Sequence, residues 1–379
     1  MKSITDKHQI RKELLLIALI ILTQISLRLN GQKSDDYRYR GIETGSETRY
    51  LQSELNGTTY KLLINLPQSY MTDSTRTYPV FYVLDGQWAF VNVVTGYYDS
   101  FYDGLIPEII IVGLTWAGDN PDYGKLRSVD YAPPVNKNDK VSGGDVFLSV
   151  LRKEIIPFID SEYRSNKKDR GITGNSLSAL YAHYCLFHAN DLFNGFAILG
   201  PGFLYGNDLA FRYEEDYADK NDRLPARVLM ECGEYDDLAR IKRMADQITS
   251  RNYKDLDFKY LVAEGMGHAG IKSEGHARGM IFIYKRPYIQ QSDERLREYE
   301  GIYKNKVSGA SLKLIASDGK LVFTETDFYQ NSKIYPVNDT EFTWEQSYND
   351  FQFTRDNNSK VKGFTLKIYG RALMFERQE

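Results

Sequence analysis

Between residues 50 and 285, short apolar runs alternate with segments of helical periodicity, and this alternation limits the possible folds more than any other feature of the chain. Val80-Phe-Tyr-Val-Leu84 and Ile109-Ile-Ile-Val-Gly113 contain no charged residue, so as strands they must be covered on both faces. Further strands are expected at Thr59–Leu66, Gly171–Thr173, Phe193–Leu199, Val228–Cys232 and Phe258–Val262. Helices are expected at Asp145–Tyr163, with Asp145 as N-cap, and at Ser176–Ala189, Asp236–Tyr253 and Gly275–Tyr284. Strand–helix alternation on this scale implies a three-layer α/β sandwich around a mostly parallel sheet.

After about residue 292 the texture changes. Leu312–Ile315 and Leu321–Thr324 flank Ser317-Asp318-Gly319, a hairpin signal. Short runs follow at Lys333–Tyr335, Glu341–Trp344, Phe351–Phe353, Gly363–Ile368 and Leu373–Phe375. This pattern predicts a small antiparallel barrel or sandwich. The boundary falls near Gln290–Glu294, giving an α/β domain over 45–290 and an all-β domain over 295–379. At the other end, Lys2, Lys7, Arg11 and Lys12 precede an apolar run from Leu14 to Leu22. Residues 1–31 therefore read as a secretory signal peptide, with export to the periplasm or medium and no membrane span in the mature chain. An uncleaved N-terminal anchor is the alternative.

The 48 basic and 51 acidic residues give a formal charge of -3, so no basic footprint for nucleic acid is present. Two cysteines, Cys185 and Cys232, cannot build a disulfide framework, and no Cys/His spacing suggests zinc.

The chemistry gathers around Gly171-Ile-Thr-Gly174-Asn175-Ser176-Leu177-Ser178. A strand entering a sharp turn and then a helix is the shape of a nucleophile elbow, which lifts a serine hydroxyl above the sheet edge. Position 178, usually glycine in such elbows, is serine here. A serine that only caps a helix is the plainer reading. The partners follow in the order Ser, acid, His. Glu234, Asp236 and Asp237 follow the Val228 strand, with Asp236 preferred as the acid, although all three suit a helix N-terminus. His268 sits in the small-residue loop Gly267-His-Ala-Gly270 and is the preferred base, with His276 as its rival. His183 and His188 read as packing or surface residues. Oxyanion donors are expected from the amides of Leu177 and of Gln87, the latter in Asp85-Gly86-Gln87. Trp88, Phe90, Trp116 and Tyr131 are aromatic candidates for lining a cleft. Arg127 could hold a substrate anion or pair with Asp130.

Together these residues resemble the putative esterase family of α/β-hydrolases, in its enterochelin (siderophore) esterase-like branch. The family also includes S-formylglutathione hydrolases, feruloyl and acetylxylan esterases and mycolyltransferases. The resemblance rests on Tyr78–Gly86, Ile109–Gly113, Arg127-Ser-Val-Asp130-Tyr131-Ala-Pro133, the Ser176 elbow, Gly233–Asp236 and His268, and spans about residues 48–285. It implies an α/β-hydrolase fold and a Ser-His-acid mechanism with no metal and no cofactor, acting on a small-molecule or glycan ester such as a siderophore lactone or an acylated polysaccharide. The C-terminal segment resembles small β-domains appended to hydrolases. Two alternatives remain: a serine peptidase on the same fold, or a catalytically inactive carbohydrate-binding or scaffold homologue.

Overall fold

The apolar runs become the centre of an eight-stranded sheet. The computed structural model describes residues 46–135, 142–324, 331–344, 347–368 and 371–378. The expected signal segment, residues 1–31, lies outside the described residues. In spatial order the strands are β1(Ser46–Gln52), β2(Thr59–Asn65), β4(Ile110–Trp116), β3(Tyr78–Val83), β5(Ser165–Asn175), β6(Gly195–Leu199), β7(Arg223–Gly233) and β8(Lys254–Ala263). β3 through β8 run parallel; β1 and β2 are antiparallel additions at one edge. The central strands β3 and β4 are almost wholly buried, as their unbroken apolar runs require. β1, with Glu47 and Arg49, was not legible as a strand because a half-exposed edge strand keeps charges.

Helices cover both faces. α1(Gly86–Tyr102), α2(Tyr123–Asp130), α3(Gly144–Val150) and α4(Ile156–Glu162) precede β5. α5(Leu177–His188), α6(Leu209–Ala218), α7(Leu238–Arg251) and α8(Lys272–Ile283) follow it. The helix expected over 145–163 is α3 and α4 joined by a π-helical turn at Leu151–Ile155. Its N-cap is Gly143; Asp145 sits inside the first turn instead, where a negative charge still suits the helix dipole. One hydrophobic core, with Tyr82, Ile172 and Leu180, lies on one face of the sheet. The other, with Phe81, Phe90 and Met280, is covered by α1 and α8. These two helices touch closely: a Cβ on Gly96 would sit 3.1 Å from that of Ala277.

Residues 301–377 form a closed up-and-down barrel of eight antiparallel strands, β9(Gly301–Asn305), β10(Ser311–Ser317), β11(Lys320–Thr324), β12(Lys333–Pro336), β13(Glu341–Trp344), β14(Asp350–Arg355), β15(Val361–Ile368) and β16(Arg371–Arg377). β16 pairs with β9 and closes the ring, which leaves no open sheet edge. At the β10–β11 hairpin Asp318 and Gly319 both have positive φ, 52° and 75°, as the tight turn demands. The bore is filled by Tyr299, Tyr303, Phe342, Phe351, Phe353 and Phe364.

The barrel docks on the far ends of α1 and α8. Asn349 Nδ2 donates to Asp103 O, just past α1, at 3.0 Å. Gly104, with φ 72°, leaves room there, since a Cβ would lie 2.4 Å from Asn349 Oδ1. Tyr348 OH donates to Tyr284 O, just past α8, at 2.8 Å. Arg286 bridges Glu341, at 2.6 Å, and Asp350. With 17 residues, α1 is about 25 Å long, so these contacts lie that far from its start.

One buried residue of α5 gives a stability prediction. Neither nitrogen of His183 has a hydrogen-bond partner, and its ring lies edge-on to Phe187 and Phe203. Burial pushes its pKa from 6.5 down to about 3. The folded chain therefore keeps it neutral while the unfolded chain protonates it. Stability is whole above pH 6.5 and falls as the pH drops, by up to about 2 kcal/mol at pH 5. His183→Phe is expected to raise the calorimetric Tm more at pH 5 than at pH 8; an equal change at both would contradict this.

Candidate active site

Ser176 occupies the turn between β5 and α5 with φ 63° and ψ -118°, a region that non-glycine residues rarely visit. The surroundings enforce it. Ser176 N donates to Leu199 O at 3.0 Å, and Gly202 N donates to Ser176 O at 3.2 Å. A Cβ on Gly174 would lie 2.4 Å from Ser178 C, so only glycine fits two residues before the serine. Ser178 is fully buried; its Oγ accepts from Asn175 N and donates to Asn175 O, each at 2.9 Å. The residue that departs from the usual glycine thus pins the turn from inside. Asn175 Nδ2 in turn donates to Leu199 O at 3.1 Å and His268 O at 3.3 Å, tying the elbow to the histidine loop.

The three candidate carboxylates have three different partners. Asp236 Oδ1 lies 2.6 Å from His268 Nδ1, and its Oδ2 accepts from Gly233 N at 3.1 Å. Glu234 accepts from Gly265 N at 2.8 Å and braces the loop. Asp237 is the N-cap of α7, accepting from Arg240 N at 3.3 Å. The Asp236 side chain is 7% exposed and that of His268 49%. With Nδ1 donating to Asp236, Nε2 carries the free lone pair. Gly200, at φ 49°, was not singled out from the sequence, yet a Cβ there would lie 3.0 Å from Asp236 Oδ2 and 3.3 Å from His268 Nδ1.

His276 does not reach this place. It is 1% exposed, with Nδ1 3.0 Å from Thr173 Oγ1, and burial pushes its pKa down to about 3. His188 Nδ1 lies 2.9 Å from Tyr184 O, one turn back on its own helix.

Ser176 and His268 line one cavity of about 170 Å³, with Asp85, Trp88, Arg127 and Lys272 among the other walls. Among the described residues neither Ser176 Oγ nor His268 Nε2 has a hydrogen-bond partner, and both residues line the cavity. Leu177 opens α5 and Gln87 is the second residue of α1. Their amides, like that of Gly86, lie in first helical turns and have no acceptor among the described residues. A small pocket with a serine, a carboxylate-oriented imidazole and two helix N-termini can hold an ester carbonyl and stabilise the anion that forms on it.

The aromatic candidates divide. Trp88 is 49% exposed at the cavity, while Phe90, Trp116 and Tyr131 are buried at 1–2%. Tyr131 therefore does not line the cleft; its ring packs on Trp116, Phe147 and Tyr181, and its OH accepts from Asp85 N at 3.2 Å. Arg127 pairs with Asp85 and not with Asp130, through Nε–Oδ1 at 3.0 Å and Nη2–Oδ2 at 2.6 Å. Asp130 is taken by Trp116 Nε1 at 2.7 Å and Tyr60 OH at 3.0 Å. Lys272, at the start of α8, is a cavity residue that sequence reasoning missed, because a lysine opening an amphipathic helix looks like solvated surface.

The sheet order, the elbow between β5 and α5, and an Asp236–His268 pair carried on the loops after β7 and β8 define the fold of an α/β-hydrolase. Residues 53–206 match the family model described as Putative esterase. The chain is 22% identical over 228 residues to the ferri-bacillibactin esterase BesA of Bacillus subtilis, covering 56% of this chain and 76% of that protein. Among solved structures it is similar to the BES protein from Bacillus cereus, with TM-score 0.57 and 22% identity over 67% of this chain and 99% of that one. It also resembles an IroE-like serine hydrolase from Shewanella oneidensis, with TM-score 0.54 and 22% identity over 63% of this chain and 80% of that one.

The sorting of the carboxylates can be tested by kinetics. Asp236→Asn is expected to lower kcat on the order of 10³- to 10⁴-fold, because the amide favours the wrong imidazole tautomer. Glu234→Gln and Asp237→Asn should stay within about tenfold, since Asn caps a helix as well as Asp. A larger loss in Glu234→Gln would reassign the acid.

Proposed function

We propose that this chain is a serine esterase in which Ser176 is the nucleophile, His268 the general base and Asp236 the group that orients it. The observation that carries this reading is the 2.6 Å Asp236–His268 hydrogen bond beside a serine held at φ 63° in the same cavity. His268 Nε2 takes the Ser176 proton as Oγ attacks the ester carbonyl. The amides of Leu177 and Gln87 hold the oxyanion, and each such donor contributes about 2.7–4 kcal/mol to lowering the barrier. The tetrahedral intermediate collapses to an acyl-serine as His268 gives the proton to the leaving alcohol. Water, activated by the same imidazole, then releases the acid and restores Ser176.

For the substrate, the polar walls are informative. Lys272 brings positive charge to the cavity, where Arg127 is already paired with Asp85, and Trp88 brings an exposed ring. This chemistry suits an ester bearing an aromatic or anionic group. The similarity to a protein named as a ferri-bacillibactin esterase supports a siderophore lactone over an acylated polysaccharide. Residues 1–31 are proposed to direct export, which would place the enzyme where such esters are met. No helix among the described residues is long and apolar enough to cross a membrane.

Purified protein should be offered a catecholate trilactone, acetylated and feruloylated glycans, short p-nitrophenyl esters and peptide amides. The trilactone is expected to give the highest kcat/KM, with His268→Ala inactive and no amide turnover. Preference for a glycan ester would replace the substrate class, and amide cleavage would favour the peptidase alternative. Failure on every ester would leave the scaffold reading.

A further inference from the structure

The Arg127-Ser-Val-Asp130-Tyr131 element is the one motif that the proposed mechanism leaves without work. We propose that it is a clamp on the oxyanion loop, with Arg127 and Tyr131 as positioning residues that act on the reaction through Asp85. The inference rests on the reading of the Gln87 amide as an oxyanion donor.

Asp85 joins β3 to α1 in the left-handed region, with φ 53° and ψ 42°. Aspartate tolerates this conformation better than most residues, but it remains less favourable than right-handed backbone. The turn swings the chain from the sheet into the helix, so Asp85 sets where the free amides of Gly86 and Gln87 point. The loop has little room behind it: a Cβ on Gly86 would lie 3.0 Å from Gly113 C and Leu114 N of β4.

Arg127, Tyr131 and Asp130 each fix one part. Arg127 grips both carboxylate oxygens of Asp85, a bidentate contact that sets direction as well as distance. Tyr131 OH accepts the Asp85 N–H at 3.2 Å, so side chain and backbone of one residue are held from the same helix end. Asp130, 4% exposed, accepts from Tyr60 of β2 and Trp116 of β4, which fixes the end of α2 to the sheet. Trp88 lies over the Arg127 guanidinium at 5.6 Å and shields the pair. A guanidinium acting only as a substrate ligand would keep its fork free; here the fork is occupied by Asp85.

A neutral ester separates the two roles. p-Nitrophenyl acetate has no anion for Arg127 to bind. Arg127→Gln and Tyr131→Phe are each expected to lower its kcat by about ten- to a hundredfold, with KM within about twofold, because displaced donors weaken the transition state and not the ground state. Arg127→Lys, which keeps the charge without the fork, is expected to fall with Arg127→Gln. Unchanged kcat on the neutral ester, with a raised KM only on anionic esters, would overturn the clamp. A crystal structure of Tyr131→Phe gives a readout independent of turnover: Asp85 displaced from its left-handed conformation is expected, and an unmoved Asp85 would overturn the proposal. An inactive wild type would remove the esterase reading, while that structure would still decide the clamp.

Discussion

The backbone of Ser176 is the constraint on which the site depends. A serine at φ 63° is held there only because its neighbours leave no alternative. Gly174 has no room for a Cβ, Ser178 ties the turn to Asn175, and Asn175 reaches the backbone of both β6 and the His268 loop. The strain at one residue is thus held by contacts from three strand ends. The parallel sheet makes this possible, because β5, β6, β7 and β8 all deliver their C-terminal ends to the same side. Gly200 then gives the Asp236–His268 pair its space, so these two residues inherit their geometry from the same edge that strains the serine.

The barrel stands apart from this chemistry. It meets the chain at the ends of α1 and α8 that lie away from the cavity, through Asn349, Tyr348 and Arg286. Its core of rings in mostly edge-on and tilted contact is separate from the cores on either face of the sheet. The two helices that start beside Asp85 and Lys272 are therefore anchored at both ends, one end at the cavity and the other at the barrel. Rigid support of this kind favours a preformed site with free donors over one assembled on binding.

Much of this was legible in the residues. Buried parallel strands carry unbroken apolar runs, so β3 and β6 could be read almost to their ends, β4 was read only as far as Gly113 although it runs to Trp116, and Asp318-Gly319 announced its hairpin. The elbow could be read because its backbone admits few residue types at 174. Other parts could not. Periodicity misses α1, because seven of its residues face the core and the rest are mixed in character. The three carboxylates after β7 are equivalent in sequence and are separated only by where β8 and α7 bring His268, Gly265 and Arg240. Arg127 lies 42 residues from Asp85 in the chain, and only the fold brings α2 to the turn after β3 and pairs them. Tyr131 looked like a cleft aromatic for a related reason: composition names the ring but not the direction it faces.

The central claim is that Ser176 is a nucleophile activated by His268. The most direct measurement is mass spectrometry of the full chain after treatment with a fluorophosphonate, followed by peptide mapping. The account predicts one phosphonyl group per chain, located on Ser176, with its formation slowed by orders of magnitude in His268→Ala. An unmodified wild type, or an adduct on any other serine, would contradict it.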